Sequence, residues 1–381
     1  MDCGANDLRF TPVESLLGGL LIGEAAGVVL LCYGRVLGFS GIFAETVRSA
    51  PAGWRLRVLG GLALGGAFAC AAVRGFPPRA LDAPAAAYAL AGVLVGAGTH
   101  GGCGCTSGHG VVGLARASPR SLAATCTFIV AGVAAARVAL HSDGWPSVGC
   151  APTGGFRVTP LAWPDAPGGL LAVVAAAAVA PLGAIATARR ARAAGEAAGR
   201  AGSAAIAAVD VAAGVAAGVG LSVGGMLQQA KVRGFLDVGG AWDPSLACVM
   251  GGALGVSAAA HARARAANAR PLLADAFAFA PTRQFGGDAV DAQLIAGAVL
   301  FGVGWGFLGV CPGPAFVGLA LPLVARDAAG PGALGFPVFV IAMAVGTLVA
   351  DLVKREEDGA AKASPKVQHA ELAVKAGADG S

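Results

Sequence analysis

GGCGCTSGHG (101–110) and GVCPGP (309–314) are two cysteine-bearing, glycine-rich breaks inside otherwise apolar sequence. Non-helical backbone at bilayer depth survives only where it is buried in protein or lines a cavity, so such breaks mark the place where a membrane protein handles what it carries. The surrounding composition agrees. Over 381 residues, 56% are hydrophobic, 13% are charged and mean hydropathy is +0.71, which is far too apolar for a soluble fold. The expected fold is an all-α polytopic membrane protein. Nine spans of about 20 residues are read at 13–32, 54–73, 84–100, 119–140, 168–188, 204–226, 243–262, 290–308 and 332–353. The 61 glycines suit helices that pack closely through small residues.

With nine crossings, the loops after odd-numbered spans share one side with the C-terminal tail. Counting the tail and adjoining helix ends, that side holds 19 of the 27 basic residues, Arg116, Arg189, Arg190, Arg263 and Lys354 among them, and is therefore expected to be cytoplasmic. The N-terminus is then outside and the C-terminus inside. The net charge of +5 describes this topology rather than an affinity for nucleic acid. Residues 1–12 lack the basic start of a cleavable signal peptide, and the tail at 354–381 is expected to be disordered.

The sequence repeats itself. GRVLGFSGI (34–42) and AKVRGFLDV (230–238) share a basic-Val-x-Gly-Phe core, and GTHGGCGCTSGHGVVGLARASP (98–119) matches GVGWGFLGVCPGPAFVGLALP (302–322) in its glycine-rich approach, cysteine and short helical stretch. Each half, 13–140 and 204–353, thus reads as two units of span, short re-entrant hairpin and span. A segment at 141–203 carries the outer loop, linking span and cytoplasmic loop between them. An odd number of crossings separates the copies, so the repeat is expected to be inverted, with the substrate site near the midplane.

Four stretches carry a resemblance to a known family: CTSGHGVVGLARASPRS (105–121), MLQQAKVRGFLDV (226–238), WDPSLACVMGG (242–252) and GWGFLGVCPGP (304–314). They resemble signatures of the YeeE/YedE family of membrane proteins, the second half being similar to a partner component that some members encode separately. The resemblance implies uptake of thiosulfate or a related small sulfur anion across a plasma membrane, the inner membrane in a bacterium. It also implies a cytoplasmic sulfur-carrier protein as a partner. This chain has Cys103-Gly104-Cys105 where the family usually has Asn-Gly-Cys.

The chemistry can be argued from the residues. Cys105 and Cys311 occupy equivalent places in the two breaks, and a neutral thiol is a soft, polarizable, weak donor able to meet a terminal sulfur as well as an oxygen. Ser107 and Thr106 are suited to cap the helix running to about Arg116, while Pro312 and Pro314 suit the first turn of the other. Such helix starts attract anions. Cys32 is expected as a third pore thiol, and Cys103 and His109 are further candidates for substrate contact. For His109 the alternative is a buried ring that caps backbone. Cys70, Cys126 and Cys248 read as packing residues, Cys3 and Cys150 as an occasional outer disulfide, Glu24 and Asp210 as acids that either pair or couple protons, and Trp242 and Asp243 as interface anchor and cap.

Two rival functions stay open at this stage. Cys103, Cys105, His100 and His109 could bind Cu(I) or Zn(II), making a metal-ion transporter. A membrane sulfurtransferase or thiol enzyme would use a cysteine as nucleophile. No Walker, quinone or nucleotide motif and no C-x-x-C is present, so no cofactor and no enzymatic activity are expected.

Overall fold

The computed structural model describes residues 9–49, 52–73, 83–141, 157–158, 167–194, 200–266, 269–274, 276–277, 290–321 and 334–363. Thirteen helices stand among them. Nine are long: α1 (Pro12–Tyr33), α3 (Gly53–Ala72), α4 (Ala85–Gly101), α6 (Pro119–His141), α7 (Pro167–Ala193), α8 (Arg200–Val223), α10 (Ser245–Ala264), α11 (Ala292–Leu308) and α13 (Gly335–Ala363). They fall on the nine expected spans. Four are short and lie at the breaks: α2 (Phe39–Arg48), α5 (Thr106–Gly113, wound as a π-helix), α9 (Gln229–Leu236) and α12 (Pro312–Gly318). Outside the helices, a two-residue parallel bridge joins Arg157–Val158 to Ala241–Trp242.

Seven of the long helices have the length and hydropathy of a full crossing. The exceptions are α4 and α11, of 17 residues each, or about 25 Å at 1.5 Å per residue, short of the ~30 Å hydrocarbon core. Both run into a cysteine break, and α11 with α12, bent 41° at the break, makes an eighth crossing if counted as one. Aliphatic residues such as Leu64, Val130, Val179 and Ile341 are exposed on the outer faces, where lipid rather than water is the solvent. The chain is an all-α, multi-pass membrane protein.

Glycine pairs four residues apart set how the helices meet. A methyl group at Gly19 or Gly23 of α1 would press on the carbonyls of Val249 and Ala253 in α10; Gly61 and Gly65 of α3 stand in the same relation to Val211 and Val215 of α8. Gly92 and Gly96 of α4 nest on Phe339 and Met343 of α13, and Gly302 and Gly306 of α11 on Phe128 and Gly132 of α6. In lipid, where association rests on close packing, such backbone approach is what holds helices together. The pairs obey an exchange rule. Substituting α8–α13 for α1–α6 turns α3·α8 into α10·α1, α4·α13 into α11·α6, α3·α12 into α10·α5 and α2·α4 into α9·α11, all of them packed pairs. The pairs α1·α8 and α4·α11 map onto themselves, and α7 packs outside against α8.

Several polar contacts between distant segments join helix ends that the sequence assigns to one side. Arg265 Nη2 donates to Arg116 O (2.8 Å), Arg192 Nη1 to Leu272 O (3.0 Å), and Arg48 Nε meets Asp351 Oδ1 (2.7 Å). On the other side Thr11 N–H donates to Ser245 Oγ (3.1 Å) and Lys231 Nζ to Arg9 O (2.6 Å).

Two expectations need correction. The shared Val-x-Gly-Phe core ends at Phe39, the first residue of α2, in one half but lies inside α9 in the other, so the two hairpins are not superposable residue by residue. The last helix continues to Ala363, which places the expected start of the tail, 354, inside a helix. Cys3 and Cys150 lie outside the described residues.

Candidate functional site

Both break cysteines sit at the same structural position, the residue just before a short helix. Cys105 precedes α5 with φ −127° and ψ −166°, and Cys311 precedes α12 with φ −117° and ψ 168°. Pro312 follows at the first helical position, where its missing N–H is no loss. The capping expectation therefore shifts by one residue: Thr106 is the first helical residue, and Cys105 rather than Thr106 or Ser107 is the cap. Ser107 does something else. Its hydroxyl accepts from Phe39 N–H (3.3 Å) and lies 3.2 Å from the Cys105 thiol, tying α5 to α2.

Between the two breaks is a cavity of about 70 Å³ whose lining includes Cys105, Thr106, Ser107 and Cys311. A single water needs roughly 15 Å³, so a small polyatomic anion has room. The rest of the wall is apolar, with Ile22, Phe39, Leu221 and Trp305 among it and the thioethers of Met226 and Met250 adding soft sulfur. No acid, base or histidine lines it among the described residues. The Cys311 thiol meets the Thr106 side chain and Gly313 N–H and stands near Cys105.

The two helix starts are not equivalent as donors. On the α5 side the first main-chain bond is His109 N–H to Cys105 O (2.8 Å), so the amides of Thr106, Ser107 and Gly108 precede it. On the α12 side Pro312 and Pro314 have no N–H and Gly313 already faces the Cys311 thiol.

The remaining candidates lie off the cavity. Nε2 of His109 donates to Gly102 O (2.9 Å), which can only accept, so Nδ1 accepts from the Ser121 hydroxyl (3.1 Å). Both ring nitrogens are engaged, and the ring packs against Gly104, where a Cβ would collide with it. His109 thus braces the turn, the capping alternative raised for it. Cys32 is 0% exposed at the end of α1, beneath a segment whose Leu273 N–H donates to its carbonyl (2.8 Å). It shares the apolar cluster of Cys105 and Cys311 without lining the cavity. Cys103 points its thiol at Gly101 O (3.8 Å) and adopts φ +58°.

A left-handed backbone costs an L-residue other than Gly or Asn about 1–2 kcal/mol. Cys103→Asn should therefore raise unfolding stability by roughly 0.5–1 kcal/mol in a thermal melt of purified protein. Uptake should be unchanged, because the thiol faces its own backbone. A loss of uptake would return Cys103 to the site.

Among the described residues no three His, Cys, Asp or Glu side chains come together as a metal-ion site. His100 instead faces Asp351 (3.4 Å). Asp210 is held by Arg57 (2.8 Å), and Asp243 both accepts from Ser245 N–H (2.9 Å) and pairs with Lys231 (3.0 Å). Sequence reasoning missed the group behind Cys311: Tyr88 OH donates to Gln229 Oε1 (3.0 Å) while Gln229 Nε2 donates to Leu308 O (3.0 Å). A glutamine in an apolar hairpin was the visible signal. Its partners, 141 and 79 residues away, were not.

Comparison with known proteins places this architecture. A family of unknown function, DUF6691, matches residues 205–362. A protein described as "Probable transporter" from Xylella fastidiosa strain Temecula1 is 40% identical over 121 residues, 32% of this chain and 90% of the relative. The chain belongs to this probable-transporter family. A second "Probable transporter", from strain 9a5c of that species, is 38% identical over 129 residues, 34% of this chain and 77% of its own length. Each relative is thus matched over most of its length by about a third of this chain. No solved structure matches.

Proposed function

We propose that this transporter takes up thiosulfate or a closely related small sulfur anion and holds it between Cys105 and Cys311. The observation that carries the reading is their convergence, with Thr106 and Ser107, on one buried cavity. Thiols and thioethers present soft donors and surfaces to a terminal sulfur, hydroxyls and the α5 amides serve the oxygens, and the apolar wall excludes competing water. Among the described residues the lining holds no base or cation that would activate either thiol as a nucleophile, which favours carriage of the anion over covalent chemistry. The resemblance to the YeeE/YedE family supports the substrate class.

In the same reading the two halves are inverted copies meeting at the midplane, with the N-terminus outside and the C-terminus in the cytoplasm of a bacterial inner membrane. Cys32 is the third thiol, on the cytoplasmic side of the cavity. A cytoplasmic sulfur carrier would receive the product.

The test is uptake of labelled thiosulfate, sulfite and sulfate by proteoliposomes of the wild-type protein. Thiosulfate should be taken up fastest and be displaced poorly by sulfate, which has the same charge. Equal competition by sulfate would mean that the thiols do not read sulfur.

A further inference from the structure

The α9 hairpin carries a buried charge that takes no hydrogen bond among the described residues. Arg233 is 1% exposed, and its Nε, Nη1 and Nη2 are each buried without a hydrogen-bond partner among the described residues. Asp237, one turn further on, attracts the guanidinium without closing an ion pair with it, and its Oδ1 lies 3.8 Å from Arg137 Nη1. A buried guanidinium without an acceptor is costly, and an ionisable side chain at membrane depth is ordinarily paired or functional.

Three features bear on which. The shared Val-x-Gly-Phe core does not itself call for a charge at this point, since the other half carries Leu37 there in sequence. The hairpin also belongs to the site: Val232, the preceding residue, lines the cavity, and Gln229, one turn earlier, holds the carbonyl of Leu308 just before the Cys311 break. Finally, the cavity wall holds no cation and the α12 start offers no free amide in its first turn, so an entering dianion is short of positive charge on the Cys311 side.

We infer that Arg233 is a recognition residue for a small divalent oxyanion, which its guanidinium meets between α9 and the neighbouring α6 and α11 on the way to the cysteines. The inference deepens the transport reading by separating its tasks: the guanidinium fork takes two oxygens and supplies charge, whereas the thiols supply the preference for sulfur. In the state described the charge is sealed, so α9 must shift for the anion to reach it.

The experiment follows the thermal unfolding midpoint of purified wild type, Arg233→Leu and Arg233→Lys, with and without millimolar sodium thiosulfate or sodium sulfate, alongside proteoliposome uptake. Arg233→Leu should shift the midpoint without anion, because the cost of burying the charge and its attraction to Asp237 are lost together. It should also lose the anion-induced rise and at least tenfold in uptake. Arg233→Lys should keep part of both, and it carries the test if the leucine variant does not fold. The inference falls if the anion-induced rise is absent in wild type or undiminished in both variants. An Arg233-dependent rise in a wild type that transports no sulfur anion would uphold the recognition residue and overturn the transport reading instead.

Discussion

Cys311→Ala should reduce thiosulfate uptake by roughly 100-fold, and Cys105→Ala by a similar factor, with the folded protein recovered in normal yield. Each substitution removes one thiol from a buried wall that has few other polar groups. A charged solute that loses its partner in such a place forfeits about 1.5–3 kcal/mol, and 2.7 kcal/mol corresponds to about 100-fold. Cys105→Ser should be milder for sulfate than for thiosulfate. A hydroxyl still donates, but it is a harder group, and its hydrogen bond to a terminal sulfur is the poorer one. The control is Cys126→Ala, since Cys126 is exposed on the outer surface of α6 and should be silent. Initial rates in proteoliposomes matched for protein content check all four variants. Full uptake by both alanine variants would remove the thiols from the transport path.

Asp243→Ala should destabilise the protein by about 3–5 kcal/mol, the usual cost of stranding one member of a buried ion pair. Lys231 and Asp243 have side chains 6% and 0% exposed and meet at 3.0 Å. Lys231 also donates to Arg9 O (2.6 Å), so the pair pins the start of α1, the α9 hairpin and the start of α10 to one another. The double variant Lys231→Met/Asp243→Leu should recover most of the loss, because an apolar pair of similar volume avoids desolvating either charge. A residue of roughly 1 kcal/mol should remain for the Ser245 amide that Asp243 accepts. Thermal melts of Lys231→Met, Asp243→Leu and the double variant, beside Asp243→Ala, give the coupling. A double variant that loses as much as the two single variants together would mean that the pair contributes nothing beyond its members.

The nine long helices, seven of them long and apolar enough to cross, the four short helices at the breaks and the matching places of Cys105 and Cys311 were legible in the chain, because each rests on local physics. Twenty apolar residues can satisfy their backbone in lipid only as a helix, and a glycine-rich cysteine stretch or a Pro-Gly-Pro cannot continue one. What the side chains of those breaks face was not legible. His109 and Cys103 stand within a few residues of Cys105, yet one turns to Gly102 and Ser121 and the other to Gly101, while Thr106 reaches across to Cys311. Ser107 reads locally as a helix cap, and only the approach of Phe39, 68 residues earlier, makes it a tie between hairpins. Arg233 reads locally as one more basic residue near a helix end. Its burial without a hydrogen-bond partner arises where α6 and α11 pack on α9. Helix and break are decided by neighbours in sequence; burial, partner and direction are decided by backbones that glycine pairs bring together from opposite halves of the chain.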